Sequence, residues 1–186
     1  MSRRFLRVWF SLLLPGLLFS TVAHAQLALD LSGHPIDPLA AHKITVLLFI
    51  RSDCPISNRY APEIQRLANE FQGNANFWLV YPDRKETTEA ITKHLAAYGY
   101  KLPALRDVHH DLVHKAQAQI TPEAAVFQGT ELRYLGRIDD RAVDFGAFRA
   151  TANEHDLEDA VRAVIKGQPV RKAAGPPVGC YISDLE

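Results

Sequence analysis

The sequence predicts an α/β domain, a central mixed β-sheet flanked by helices, followed by a C-terminal tail. Three observations carry that expectation. Ile44-Thr45-Val46-Leu47-Leu48-Phe49-Ile50 is a continuous apolar, β-branched run, the pattern of a strand buried on both faces. Immediately beyond it the apolar period changes from strand to helix, with Tyr60, Ile64, Leu67, Ala68 and Phe71 at three- and four-residue spacings. A second apolar strand, Asn76 to Tyr81, then follows, and strand, helix, strand implies a parallel crossover.

The chain opens with a different kind of segment. Arg3, Arg4 and Arg7 form a basic start, Val8 to Val22 is almost uncharged and apolar, and Ala23-His24-Ala25 has the small-x-small form of a cleavage signal. The apolar run contains Pro15 and Gly16 and falls short of the roughly 20 residues a bilayer requires. We therefore expect a signal peptide over residues 1–25, cut after Ala25, and a periplasmic or secreted product that meets the membrane only during export. Removing 25 of the 186 residues leaves 161, enough for one domain with a substantial core. The leader takes with it three of the 21 basic residues and none of the 21 acidic ones, so the mature chain carries a formal charge of −3. That balance offers no basic face for nucleic acid.

The mature domain is expected over residues 26–168. Leu27 to Leu31 alternates apolar with small or polar residues and is broken at Ser32-Gly33-His34-Pro35, as a short strand and turn would be. The buried strand at 44–50 stops at Arg51-Ser52-Asp53-Cys54-Pro55, and the first helix is expected from Ser57 to near Gly73. After the strand at 76–81, a second helix runs from Thr87 to Tyr98 and is closed by Gly99. Leu102 to Leu105 precedes a short helix from Val108 to Gln117. Ile120 to Phe127 then pairs through a turn at Gln128-Gly129-Thr130-Glu131 with Leu132 to Ile138. Asp139 to Thr151 reads as a charged loop. Asn153 is the expected N-cap of a last helix, Glu154 to Lys166, ended by Gly167. Residues 169–186 form a Pro/Gly-rich tail carrying Cys180.

Only two cysteines are present, Cys54 and Cys180, in a chain expected to enter a disulfide-permissive compartment. Cys54 lies between a buried strand and the start of a helix. There it meets backbone N–H groups and the positive end of the helix dipole, which both favour thiolate over thiol. Arg51 adds positive charge and Asp53 opposes it. An inert buried cysteine is the plainer alternative, although one followed by proline at a helix start fills a core poorly.

The order strand, Cys54-Pro55, helix, crossover, then Thr121-Pro122 opening a hairpin resembles the thioredoxin fold. That resemblance implies a cis Thr121-Pro122 bond lying against the cysteine, the cis form being common only before proline. Four segments are similar to the exported redoxins of the thioredoxin-like, peroxiredoxin-related group, the AhpC/TSA-like proteins. They are Ser52 to Pro62, Thr121-Pro122-Glu123-Ala124, Arg137 to Arg141, and Val178-Gly179-Cys180-Tyr181-Ile182. The resemblance runs from about residue 27 to the end and implies a thioredoxin-like fold with thiol-based redox chemistry.

Two departures shape the expectation. Where a dithiol thioredoxin has its second cysteine, this chain has Ser57. Where a peroxiredoxin has threonine or serine three residues before its cysteine and proline four before that, this chain has Arg51 and Leu47. Cys180 is thus the resolving thiol or disulfide partner to expect for a nucleophilic Cys54. Thr121 and Pro122 would shape the wall beside it, and Ser57 would hydrogen-bond the thiolate. The implied partners are a protein disulfide or a small oxidised substrate, and a reductant. No organic cofactor is implied, and oligomeric state is left open. Two alternatives stand beside this: a thiol peroxidase, and a copper or other metal carrier using Cys54, Cys180 and one of His109, His110 or His114, which the relation to copper chaperones of this fold suggests.

Overall fold

The computed structural model describes residues 28–40 and 43–183, so the expected leader and its cut after Ala25 lie outside the described residues. The elements run β1 (Leu29–Asp30), β2 (Ile44–Phe49), α1 (Pro55–Glu70), β3 (Asn76–Tyr81), α2 (Thr88–Ala97), β4 (Ala104–Arg106) and α3 (Asp111–Ala116). They continue with β5 (Ile120–Thr121), β6 (Glu123–Gln128), β7 (Glu131–Gly136), β8 (Ala142–Asp144), β9 (Ala147–Phe148), α4 (Asp156–Ile165) and β10 (Cys180–Tyr181). Six strands make one mixed sheet in the order β1-β4-β3-β2-β6-β7. Strands β2, β3 and β4 are parallel neighbours, and β6 pairs antiparallel with β2 and with β7. This is a thioredoxin-like fold.

The alternation of side chains along β2 divides the core in two. Val46, Leu48 and Ile50 pack on one face with Tyr60, Ile64 and Leu67 of α1 and with Leu157, Val161 and Val164 of α4. Leu47 and Phe49 point to the other face, where Leu112, Val113 and Ala116 of α3 cover them. These four β2 side chains and Ile50, the next residue, are fully buried, and burying each such group contributes about 1.5–3 kcal/mol. The strand is therefore the rigid base from which Cys54 projects. Among the described residues, no helix is long and apolar enough to cross a membrane.

Several boundaries differ from the sequence expectation, each for a local reason. Helix α1 begins at Pro55 rather than Ser57, because proline's fixed φ suits the first helical position and leaves Cys54 as the N-cap. Helix α4 begins at Asp156, not Glu154, and Asn153 does not cap it. Instead the backbone N–H groups of Asn153 and Glu154 donate to Asp140 Oδ1 at 2.7 and 3.1 Å, which holds that segment outside the helix. Helix α3 shrinks to Asp111–Ala116, so His109 and His110 precede it and only His114 lies on it. The expected strand from Ile120 to Phe127 is two strands, β5 and β6, divided at Pro122.

The expected charged loop contains the small antiparallel ribbon β8–β9. It forms because the loop's charges are consumed inward: buried Asp139 accepts from Tyr60 and Arg141, and Asp140 pairs with Arg149. Finally, the tail ends in a strand, with β10 running antiparallel to β5 so that Cys180 faces Thr121 and Tyr181 faces Ile120.

Candidate active site at Cys54

Cys54 sits where β2 hands over to α1, with extended backbone (φ −85°, ψ 111°) and no side-chain capping hydrogen bond. Its residue is 1 % exposed. As a thiol it donates to the Thr121 carbonyl at 3.2 Å, and the Thr121-Pro122 bond is cis. Cys180 Sγ lies 2.9 Å from Cys54 Sγ. The two are unbonded thiols, beyond the S–S bond length of about 2.05 Å.

The electrostatics separate the two sulfurs. Burial pushes the Cys54 pKa up, but the donors that would serve its thiolate, the Cys180 thiol, the Ser57 side chain and the Ser57 and Cys180 backbone N–H groups, outweigh it, and the net shift is down. For Cys180, burial, its donated hydrogen bond and the charge on Cys54 all push the pKa up, Asp53 adds to this, and Arg51 partly opposes it. Of the pair, Cys54 is therefore the sulfur that ionises first. Ser57 is fully buried and its hydroxyl has no hydrogen-bond partner in the dithiol geometry. A donor held idle beside a neutral thiol gains a partner once that thiol becomes a thiolate.

Arg51 contributes less to Cys54 than its position suggests. Its guanidinium is engaged by Asp53 at 2.8 Å and by Asp83 at 3.2 Å, so it is a neutralised strut of the loop. The tail is docked at several points rather than loosely tethered. Thr121 Oγ1 donates to the Cys180 carbonyl at 3.2 Å, Ile182 N–H donates to the Gln119 carbonyl at 2.9 Å, and Ile182 is buried in the second core. Farther back, Ala174 N–H donates to Asp156, which also pairs with Arg137. Gly179 passes so close to the Thr121 carbonyl that a Cβ there would overlap it. Only glycine permits that approach.

A family model described as "AhpC/TSA family" matches residues 30–144. The chain belongs to the AhpC/TSA family. The match takes in Cys54, Ser57 and the Thr121-Pro122 bond, whereas Cys180 lies beyond it. Among solved structures, this AhpC/TSA protein is similar to a conserved protein from Geobacillus kaustophilus, at 22 % identity and TM-score 0.69, covering 84 % of this chain and 86 % of that one. It is likewise similar to a hypothetical protein from Sinorhizobium meliloti, at 24 % identity and TM-score 0.69, covering 83 % and 88 %. A third is a secreted Mycobacterium tuberculosis disulfide oxidoreductase, at 20 % identity and TM-score 0.55, covering 73 % and 93 %. These likenesses show the thioredoxin-like fold. No curated protein matches the chain.

The structure also assigns the loop's support to residues that sequence reasoning missed. Ser52 N–H donates to Glu86 Oε1 at 2.8 Å, and Asn58 Nδ2 donates to the Ser52 carbonyl at 3.0 Å. Asn58 Oδ1 in turn lies 2.8 Å from His94 Nε2, whose Nδ1 lies 2.7 Å from the Tyr81 hydroxyl. The available signal was His94 three residues after Ile91 on the buried side of α2. The other histidines have plainer roles. His110 is buried with Nε2 2.8 Å from the Pro82 carbonyl, and it is the N-cap of α3, with its ring centroid 6.3 Å from that of His114. Among the described residues, no three of His, Cys, Asp and Glu converge as a metal site.

Proposed function

We propose that this AhpC/TSA protein is an exported thiol-disulfide oxidoreductase in which Cys54 is the nucleophile and Cys180 the resolving thiol. The observation that carries the reading is the 2.9 Å separation of the two sulfurs at the N-terminus of α1. The Cys54 thiolate attacks one sulfur of a substrate disulfide, forming a mixed disulfide and expelling the other sulfur as a thiolate. Cys180 loses its proton and attacks Cys54 Sγ, the substrate's second thiolate leaves, and a Cys54–Cys180 disulfide remains. A two-electron thiol reductant restores the dithiol. Ser57 donates to the Cys54 thiolate, and Thr121 with Pro122 forms the wall against which the sulfur is held. Export rests on the leader and is in keeping with the secreted oxidoreductase among the structural neighbours.

The family match favours one second reading, peroxide reduction. The Cys54 thiolate would displace hydroxide from hydrogen peroxide to become a sulfenic acid, and Cys180 would condense with it to release water. Arg51 and Leu47, where a peroxiredoxin has a hydroxyl residue and proline, weigh against that reading. One set of mass measurements tests the proposal, on protein purified from its native compartment. The expected chain begins at Gln26, loses two hydrogen atoms (two protons and two electrons) on oxidation, and yields a single Cys54–Cys180 crosslinked peptide under non-reducing digestion. A retained leader ends the export reading, and an oxidised protein without that crosslink ends the pairing. Turnover on a peptide disulfide but not on hydrogen peroxide selects the first chemistry.

A further inference from the structure

We propose that His94 is a positioning residue for Cys54: its ring, carrying a hydrogen on Nε2, fixes the side-chain amide of Asn58, and Asn58 holds the turn that presents the Cys54 sulfur. This rests on Cys54 being the nucleophile, as proposed above. It adds a determinant of that sulfur's reactivity on α2, outside both the turn and the tail.

The hydrogen bonds leave each group a single role. The Ser52 carbonyl can only accept, so the Asn58 atom 3.0 Å from it is the amide nitrogen Nδ2. Asn58 therefore turns Oδ1 towards His94 Nε2 at 2.8 Å, and because Oδ1 can only accept, Nε2 carries the hydrogen. In the neutral ring Nδ1 is then an acceptor, and the Tyr81 hydroxyl donates to it at 2.7 Å. Burial lowers the His94 pKa, which keeps the ring neutral at neutral pH. Tyr81, Tyr98 and Tyr100 enclose the imidazole, with ring centroids 5.8, 4.8 and 5.7 Å from its own, and the residue is 5 % exposed. A rotated ring would lose both hydrogen bonds in a place that water does not reach.

The grip on the turn is what reaches Cys54. Asn58 serves two of its carbonyls, Ser52 through Nδ2 and Cys54 through its own backbone N–H at 3.0 Å. Glu86 accepts the Ser52 N–H, so Ser52 is held on both sides. An amide swung about its axis would set Asn58 Oδ1 against the Ser52 carbonyl, acceptor facing acceptor, and His94 Nε2–H prevents that swing. The Cys54 thiolate is served by the side chain and backbone N–H of Ser57, on the first turn of α1. Their reach to the sulfur depends on where the turn places Cys54. His94 thus acts on the sulfur through Asn58.

The test alkylates reduced mature protein with iodoacetamide over a pH series, with peptide mapping to separate Cys54 from Cys180. It compares wild type, His94→Leu, His94→Gln, Asn58→Ala and the variant carrying both His94→Leu and Asn58→Ala. His94→Leu should raise the midpoint of Cys54 alkylation and slow it at neutral pH by about threefold or more, the scale of one neutral hydrogen bond. His94→Gln returns an amide N–H donor near the place of Nε2–H and should restore most of the wild-type rate. The double variant should match Asn58→Ala alone, since residues acting through one hydrogen-bond network are not additive. Ring nitrogen NMR shifts of the wild type should report the Nε2–H tautomer at neutral pH. Additive losses, a Cys54 profile unmoved by His94→Leu, or a ring with its hydrogen on Nδ1 each overturn the inference. Should His94→Leu not fold, the tautomer and His94→Gln decide: a profile nearer wild type supports the inference, and one nearer Asn58→Ala overturns it. Wild-type Cys54 that alkylates no faster than Cys180 is a separate result, which overturns the nucleophile assignment and the inference with it.

Discussion

At the scale of single residues, the site turns on a contest at one sulfur. Burial opposes a charge on Cys54, and the donors at the α1 N-terminus, together with Ser57 and Cys180, reverse the outcome. The rate of Cys54 alkylation against pH should therefore show a midpoint below the free-cysteine value of about 8.5. Ser57→Ala should raise that midpoint. A hydrogen bond to a charged group contributes about 1.5–3 kcal/mol, so alkylation at neutral pH should slow by a factor on the order of ten to a hundred. Stability of the reduced protein should change little, because the Ser57 hydroxyl satisfies no hydrogen bond in the dithiol state. Equal alkylation profiles for the two proteins would remove Ser57 from the site. Much of this chemistry was legible in the chain, because a buried strand ending in Cys54-Pro55 leaves the sulfur at a helix start. The role of Arg51 was not, since its second acidic partner, Asp83, lies on the next strand's far loop and nothing near Arg51 in sequence announces it.

At the scale of elements, the site depends on two strands of two residues each. Strand β5 is held at its start by Glu123, whose buried Oε2 accepts the N–H groups of Gln119 at 2.8 Å and Ile120 at 3.3 Å. Strand β10 then docks on β5. Glu123→Ala strands two N–H groups and should cost about 2 kcal/mol or more. It should also slow Cys54–Cys180 crosslinking by loosening the platform under the tail. Glu123→Gln keeps an acceptor and isolates the charge. Burial raises the Glu123 pKa in the folded state. A group of that kind favours folding below its unfolded pKa of about 4.3, and loses that contribution as pH rises through the raised folded value. The stability of wild type relative to Glu123→Gln should accordingly be greatest at acid pH and shrink towards neutrality. Urea titrations at pH 4 and pH 7 check the sign, and a gap that widens with pH would contradict it. Long elements such as β2 and α1 were readable from their periodicity. Strands β8, β9 and β10 were not, and β5 was read as one strand with β6, because two or three residues contain no period and their pairing is set by residues distant in sequence. The start of α4 was misplaced for a related reason: Asp140, more than ten residues earlier, takes the N–H groups that would have begun the helix sooner.

At the scale of the whole molecule, the docked tail brings two thiols distant in sequence to 2.9 Å from each other, and the bond proposed between them has a thermodynamic consequence of its own. Cys54 and Cys180 are 126 positions apart, so a bond between them closes a loop over most of the mature domain. In the chain-entropy account, a loop of that length destabilises the unfolded state by about 4–5 kcal/mol, with native strain and residual unfolded structure reducing what is realised. The native side requires little rearrangement, because β10 already lies on β5 and the sulfurs already touch. For a domain of this size each kcal/mol moves the melting temperature by about 2–4 °C, so the oxidised protein should melt roughly 10 °C above the reduced one. Calorimetry of the two redox forms measures the difference directly. Cys180→Ser should abolish it, leaving one melting temperature under oxidising and reducing conditions alike, near that of the reduced wild type. The large core around β2 makes the complementary demand that reduced protein still unfold cooperatively, since the bond adds to a fold that stands without it. Equal melting temperatures for oxidised and reduced wild type, in samples where peptide mapping finds the crosslink, would mean that the docked geometry is not the one the bond constrains.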